Sequence, residues 1–188
     1  MPTADRRPRA DAERNRARVL DTARSLFAER GGDVQIPEIA RAAGVGVGTV
    51  YRHFPTRQDL VEAAAEQRFA QILAYARKDC RRRPELGGGL EKYLRHVAGI
   101  LTKDRGLSAA IEASRGAAGS PPQGETLTQL EDAIQVLIDD AWAAGTIRTD
   151  LTVKDVYMIV GSLSAVISTG SGDWRRLLAL TLDGLRPR

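Results

Sequence analysis

The segment from Val47 to His53, which reads VGTVYRH, concentrates side chains that can form hydrogen bonds. Thr49, Tyr51, Arg52 and His53 all lie within five consecutive positions. Arginine and histidine can donate hydrogen bonds to base edges, and arginine to guanine is the commonest specific contact in protein–DNA complexes. Threonine and tyrosine can reach phosphate oxygens or the methyl group of thymine. These residue types therefore suit contact with nucleic acid.

Two short helices joined by a glycine-containing turn are predicted to position this segment. Residues 36–43 carry apolar side chains at helical spacing, and Gly44 and Gly46 separate them from a second short helix over residues 47–53. A longer helix over residues 11–30 precedes the pair. Such a pair backed by a third helix forms a helix-turn-helix arrangement, whose second helix fits the major groove of DNA.

The second helix of the pair is predicted to hold Val50 and Phe54 against the other two helices. Two residues outside this helix are also candidates. Gln35 lies at the start of the first helix of the pair. Arg57 lies at the amino end of the helix that follows the pair, where the helix terminus favours a phosphate. The candidate DNA-contacting residues are Gln35, Val47, Gly48, Thr49, Tyr51, Arg52, His53 and Arg57. A small helical subdomain with a polar outer face remains the simpler alternative.

Composition and charge are those of an ordinary globular protein with a basic amino-terminal third. The chain has 188 residues, 43% of them hydrophobic, and a net charge of +4. All 11 basic residues among residues 1–60 are arginines, whose guanidinium groups match phosphate oxygens. No leader or membrane-spanning stretch is evident, and one cysteine allows no internal disulfide. We expect the cytoplasm to be its compartment.

The rest of the chain also reads as helix, and no run shows the alternation of a strand. The sequence TRQD at residues 56–59 is typical of a capping box, so a long helix is predicted from Arg57 to about Arg83. Further helices are predicted over residues 90–102, 106–115, 127–144, 153–169 and 173–185. The expected fold is all-α with about nine helices. We divide it into a flexible basic arm (1–10), a helix-turn-helix domain (11–56) and a larger helical domain (57–188).

The stretch RVLDTARSLFAERGGDVQIPEIARAAGVGVGTVYRHFPTRQDLV resembles the amino-terminal DNA-binding domain of the tetracycline-repressor (TetR) family. The resemblance covers roughly residues 12–70, and AGVGVGTVYRHF followed by RQDL is its most specific part. Two positions depart from the family pattern, because Gln35 and Gly46 stand where serine or threonine is common. The caps of the second and third helices are therefore expected to be weak.

The resemblance implies a homodimeric transcriptional regulator, in most members a repressor, that binds a palindromic operator. It also implies a small, largely apolar effector in the larger domain, whose binding moves the fourth helix. Aromatic and apolar side chains after Arg57 are candidates for the effector pocket, although each of them could instead be plain core. They are Phe69, Ile72, Tyr93, Val97, Ile111, Trp142 and Tyr157.

The last two predicted helices carry apolar stripes at helical spacing, and the family builds its dimer from this pair. The expected interface residues are Val156, Val160, Leu163, Ile167, Trp174, Leu177, Leu178 and Leu185. The alternative is that both stripes face the core of their own subunit.

Other classes of function have weaker support. No P-loop, G-x-S-x-G or H-E-x-x-H motif is present, so we expect neither an enzyme nor a cofactor. His53 and His96 lie far apart with no companion cysteine, and no metal site is expected. Cys80 lies beside Arg81–Arg83, which could lower its pKa, but neither histidine forms a recognisable pair with it. The alternatives to a sequence-specific regulator are a non-specific DNA-coating protein and, with less support, a small helical Cys-dependent enzyme.

Overall fold

The computed structural model describes residues 6–31, 33–116 and 119–187. Over these residues the protein is all-α, as predicted, with nine α-helices and no strand. A 3-10 turn at Pro84–Leu86 connects the fourth helix to the fifth. The helices are α1 (Arg6–Arg30), α2 (Ile36–Ala42), α3 (Val47–His53), α4 (Arg57–Lys78), α5 (Gly89–Lys103), α6 (Arg105–Arg115), α7 (Gly124–Ala143), α8 (Val153–Thr169) and α9 (Trp174–Gly184).

Two helix boundaries differ from the sequence prediction. α1 begins at Arg6, so residues 6–10, which we assigned to a flexible arm, are helical, and the arm's residues 1–5 lie outside the described residues. α4 ends at Lys78 rather than near Arg83. The chain turns there, and the turn places Cys80 in the core at 1% exposure.

The first three helices share a small apolar core. Ala23 and Phe27 of α1, Ile39 of α2, and Val50 and Phe54 at the end of α3 are all buried. This packing holds two seven-residue helices, α2 and α3, neither of which would be stable alone at that length. Their orientation is therefore set by α1.

α4 begins at the predicted capping box and connects this unit to the other helices. The Thr56 amide donates to the Asp59 carboxylate at 2.9 Å, and the Asp59 amide donates to the Thr56 hydroxyl at 3.1 Å. Further along, α4 packs against α1, α5, α6 and α7. One helix thus contacts both the helix-turn-helix unit and the larger set of helices.

Gly106, near the start of α6, marks the closest approach between α6 and α1. A Cβ atom placed on Gly106 would lie 1.6 Å from the carbonyl oxygen of Phe27 and 2.8 Å from the Cα of Gly31. Only glycine fits there, because the obstructing atoms belong to the backbone of α1 and cannot rotate away. The two helices pack against each other through this contact.

We expect Gly106→Ala to lower the free energy of unfolding by at least about 1 to 3 kcal/mol, since α1 and α6 must separate to admit the methyl group. Gly99→Ala in α5 is the matched control, because nothing lies within 4 Å of its Cβ position. That control should raise stability by about 0.5 to 1 kcal/mol. Denaturant unfolding measures both variants, and wild-type stability of Gly106→Ala would contradict the close contact.

Candidate DNA-binding site and effector cavity

α3 presents its polar side chains to solvent and its apolar ones to the core. Val50 and Phe54 are 0% and 2% exposed, whereas Tyr51 is 47% exposed and Arg52 is also exposed. Of the remaining predicted contact residues on α3, Val47 and Gly48 are exposed, and Thr49 and His53 are half-buried. The outward face predicted from the sequence is therefore present.

The turn between α2 and α3 depends on glycine, and both helices have weak amino-terminal caps. Gly44 adopts a left-handed conformation with φ of 65°. Gly46 precedes α3 and has no side chain to cap it. The side-chain amide of Gln35 donates instead to the carbonyl of Asp33 at 2.9 Å. At α2 the carboxylate of Glu38 compensates for the missing side-chain cap, because it accepts a hydrogen bond from the backbone amide of Gln35 at 3.0 Å.

Two arginines flank α3 and pack against the buried aromatic residues of the unit. The Arg16 guanidinium lies 5.2 Å from the centre of the Phe54 ring, and the Arg57 guanidinium lies 5.6 Å from the centre of the Phe27 ring. Such cation–π contacts restrict the position of the charge. Arg57 is therefore held at the first turn of α4, beside the helix-turn-helix unit.

A cavity lies between α4, α5, α8 and the segment that precedes α7. Five of the predicted effector residues, Phe69, Ile72, Tyr93, Val97 and Tyr157, line it. Its volume is about 40 Å³, which is room for a water molecule or two. Pockets that hold organic ligands are usually several times larger, about 300 to 1,000 Å³. The cavity of this conformation is therefore nearly closed.

Arg68, which the sequence prediction missed, also lines the cavity. It is 5% exposed, and its Nη1 donates to the Ser108 hydroxyl at 3.0 Å. Burial lowers the pKa of its guanidinium to about 10, so the side chain remains cationic at neutral pH. The sequence does indicate that Arg68 is buried, because it occupies an apolar position of α4, four residues after Ala64 and four before Ile72.

Two family models match the chain, one ending within α4 and the other beginning after it. The model described as bacterial regulatory proteins of the tetR family matches residues 19–64. The model described as the SbtR-like transcriptional regulator C-terminal domain matches residues 85–187, more than half of the chain. The chain belongs to the TetR family. It is thus a transcriptional regulator with a helix-turn-helix DNA-binding domain.

Solved structures of the same family share the fold over nearly the whole chain. A TetR transcription regulatory protein from Mycobacterium vanbaalenii is 36% identical, with a TM-score of 0.66, and the match covers 95% of this chain and 98% of that one. A TetR regulator from Streptomyces coelicolor is also 36% identical, with a TM-score of 0.64 and coverage of 92% and 98%. RolR in complex with resorcinol is 26% identical, with a TM-score of 0.66 and coverage of 94% and 89%.

Similarity to curated sequences is more local. An HTH-type transcriptional regulator of Staphylococcus aureus is 37% identical over 75 residues, which are 38% of this chain and 39% of that protein. The chain therefore matches less than half the length of this relative. Among the described residues of this TetR-family chain, no helix is both long and apolar enough to cross a membrane.

Two residues predicted to line the effector pocket lie elsewhere in this TetR fold. Ile111 is 1% exposed and belongs to the core around α6 rather than to the cavity wall. Trp142 is 56% exposed, because it follows Ala141, the last buried position of α7, and so lies on another face of that helix. Neither residue lines this cavity.

Most residues predicted to form the dimer interface are buried within one protomer. Val156, Leu163, Ile167, Leu178 and Leu185 are all 9% exposed or less, so they have almost no surface left to bury against a partner. Their stripes face neighbouring helices, since α8 packs against α5, α6, α7 and α9. These five residues occupy core positions of the protomer, which is the alternative that the sequence left open.

The other three predicted interface residues, Val160, Trp174 and Leu177, are partly exposed. Val160 also lines the cavity. The exposed face of α8 carries Met158 together with the small residues Ser162 and Ala165, and α9 exposes Leu180. This face, rather than the predicted stripes, is the apolar surface that α8 and α9 leave uncovered.

Cys80 is not activated by the neighbouring arginines. Its side chain is 1% exposed, and burial raises the pKa of the thiol to about 11. Arg81, Arg82 and Arg83 are exposed instead. The expectation that they lower the pKa is wrong, because the chain turns after α4 and separates the buried thiol from the exposed charges. A protonated thiol is a poor nucleophile.

We expect the thiol of Cys80 to react with Ellman's reagent far more slowly in the native protein at pH 8 than in the unfolded protein. Only about one thiol in a thousand would be ionised at that pH, and the sulfur is also inaccessible. The absorbance of the released thiolate, measured with and without guanidinium chloride, tests this expectation. Equal rates in the two conditions would contradict the burial of Cys80.

Proposed function

We propose that this TetR-family chain is a ligand-responsive repressor that binds a palindromic operator as a homodimer in the bacterial cytoplasm. Residues 11–56 would read DNA, and residues 57–188 would bind the effector and dimerise. The observation that carries the proposal is the outward face of α3, on which Tyr51 and Arg52 are exposed although nearby Val50 and Phe54 are buried. A short helix with this division of faces suits insertion into the major groove.

Within α3 we assign different roles to different side chains. Arg52 is the base-reading group, since an arginine can contact guanine O6 and N7 together. Thr49 and Tyr51 contact phosphate or the thymine methyl group, while Val47 and Gly48 allow close approach to the groove. Arg57 binds a phosphate at the first turn of α4. The partial positive charge of a helix amino terminus favours an anion there.

Arg52→Ala should weaken operator binding and relax the preference at one base pair in each half-site. The loss for the preferred base should be about 1 to 3 kcal/mol, the value of a bidentate base contact. The operator is first selected from a random DNA pool, and binding of single-base variants is then measured by fluorescence anisotropy at fixed salt. A two-fold symmetric selected site is the expected result.

Arg82→Ala is the matched control, because it removes the same charge from an exposed position in the turn after α4. It should leave the base preference unchanged. An equal loss of affinity by Arg52→Ala on all sequences would make Arg52 a phosphate contact. A pool without any consensus would support a non-specific DNA-coating protein instead.

The exposed face of α8 and α9 is the surface that we propose for dimerisation. Met158 and Leu180 are large apolar side chains that are 65% and 52% exposed, so their burial against a partner would be favourable. Ser162 and Ala165 continue the same face of α8 with small side chains, which allow two helices to approach closely. A two-fold axis through this face would pair α8 and α9 with their copies.

Met158→Glu should convert the dimer to monomers without unfolding the protomer, because the side chain is exposed in the protomer and would be desolvated only in the dimer. Leu86→Glu is the control, since Leu86 is 60% exposed but lies in the 3-10 turn away from this face. Light scattering reports the mass, and circular dichroism reports the fold. A Met158→Glu variant that stays dimeric would rule out this interface.

The cavity beside α4 is the proposed effector site. RolR, which has the same fold, has been crystallised with resorcinol, a small aromatic molecule. In this chain Phe69, Tyr93 and Tyr157 provide aromatic walls, and Phe69 and Ile72 belong to α4. A ligand larger than the cavity must displace α4 or the opposite wall. Because α4 also carries Arg57, such a displacement would alter DNA binding.

A further inference from the structure

The cavity wall contains a buried cation with no carboxylate partner. Arg68 is 5% exposed, and among the described residues no carboxylate lies within ion-pair distance of its guanidinium. Over the part of the chain that the structure describes, its guanidinium donates one hydrogen bond, to Ser108, and its Nε is buried without a hydrogen-bond partner. Burial of a donor without a hydrogen bond costs free energy of folding, and the cost is larger for a charged group.

Four charged groups act on Arg68: Asp104 and Glu112 raise the pKa of its guanidinium, and Arg24 and Arg115 lower it. Asp104 lies 3.6 Å from Arg24. Glu62 accepts a hydrogen bond from Arg115 at 3.1 Å, and this contact lowers the pKa of the carboxyl.

Glu112 completes the set of charged neighbours. Its carboxylate accepts hydrogen bonds from the Ser164 hydroxyl at 2.9 Å and from the Gly119 amide at 3.2 Å. Asp104 and Glu112 therefore favour the charge of Arg68 from a distance, but among the described residues neither accepts a hydrogen bond from its guanidinium. Within the described residues the guanidinium thus lacks a hydrogen-bonded counter-charge.

A second unsatisfied polar atom borders the same cavity. The hydroxyl of Tyr157 is buried and has no hydrogen-bond partner. Burial raises the pKa of this hydroxyl to about 12, so it remains a neutral donor at physiological pH. Two unused donors, on α4 and α8, thus border a cavity whose other walls include Phe69, Val97 and Leu130.

We propose that Arg68 binds the carboxylate of a small organic acid whose apolar body occupies this cavity, with the Tyr157 hydroxyl as a second donor. The proposal rests on the proposed effector-binding role and specifies the chemical class of the effector. A carboxylate fits because it accepts two hydrogen bonds and neutralises the guanidinium. The apolar walls provide for the rest of the molecule, so an inorganic anion would leave them unfilled.

The experiment measures the full-length protein by calorimetric titration with pairs of acids and their matching alcohols. The pairs are benzoate with benzyl alcohol, phenylacetate with phenylethanol, and octanoate with octanol, and resorcinol serves as a neutral phenol. At least one acid should bind about tenfold or more tightly than its alcohol, since a hydrogen bond to a charged group is worth that much. If no acid is preferred over its alcohol, or resorcinol binds better than every acid, the proposal is wrong.

Arg68→Met should abolish the preference for the acid, whereas Arg68→Lys, which keeps the charge, should retain part of it. Arg77→Met is the control, because Arg77 is an exposed arginine on the same helix. Without ligand, Arg68→Met should be at least as thermally stable as the wild type, because methionine removes the desolvation of an unpaired charge. A large fall in Tm would instead identify Arg68 as a packing residue and overturn the proposal, as would an unchanged acid preference.

Operator binding separates this proposal from the proposed function. Arg68→Met should still bind the operator, while losing its response to the acid. Linkage requires that the operator weaken acid binding by the same factor by which the acid weakens operator binding. An acid that binds through Arg68 with equal affinity in the presence and the absence of the operator would uphold the site and refute ligand-responsive repression. Loss of operator binding by the unliganded variant would assign Arg68 a structural role.

Discussion

The contact between Gly106 and the carbonyl of Phe27 is the constraint on which the arrangement of the other helices depends. It brings the backbone of α6 against the end of α1, and α1 in turn carries the core that orients α2 and α3. Phe27 also supports the Arg57 guanidinium on its ring. One residue therefore connects α6, the helix-turn-helix unit and the first turn of α4. Any shift of α6 or α4 must be accommodated at Phe27.

The unpaired charge of Arg68 lies close to this junction. Its guanidinium donates to Ser108, which is on α6 two residues after Gly106. Arg68 is also 11 residues beyond Arg57 on α4, about 17 Å along the helix axis. The cavity and the DNA-binding face are thus connected by two helices that meet at Phe27. A contiguous set of packed elements is a physical basis for coupling, whose strength the reciprocal titration measures.

The sequence was sufficient for features that local chemistry determines. The capping box at Thr56 and Asp59 and the glycine turn before α3 were predicted because cap and turn residues act on their own backbone. The end of α4 was missed because it depends on the burial of Cys80, a tertiary effect. The exposure of Trp142 was missed because an aromatic residue beside an apolar stripe can lie on either face.

The apolar stripes of α8 and α9 show a different limit of sequence reasoning. A stripe such as Val156, Leu163 and Ile167 identifies a buried helix face but does not specify whether its own protomer or a partner buries it. The structure distinguishes the two faces of α8 by their exposure within the protomer. Met158 remains exposed while the stripe is buried, so the surface available for a partner is the face with fewer apolar residues.

The small size of the cavity bears on how an effector could act. At about 40 Å³ it is smaller than the organic molecules that its aromatic walls would suit, so a conformation that held the proposed effector would have to differ from this one. A ligand shifts such an equilibrium only by its difference in affinity for the two conformations. Arg68 supplies that difference if its charge is uncompensated in the closed conformation and neutralised in the open one. The desolvation of an unpaired guanidinium then destabilises the closed conformation, and the apolar contacts among Phe69, Tyr93 and Leu130 oppose it. A regulator balanced between these two terms can respond to a single small molecule because neither conformation is strongly preferred without it.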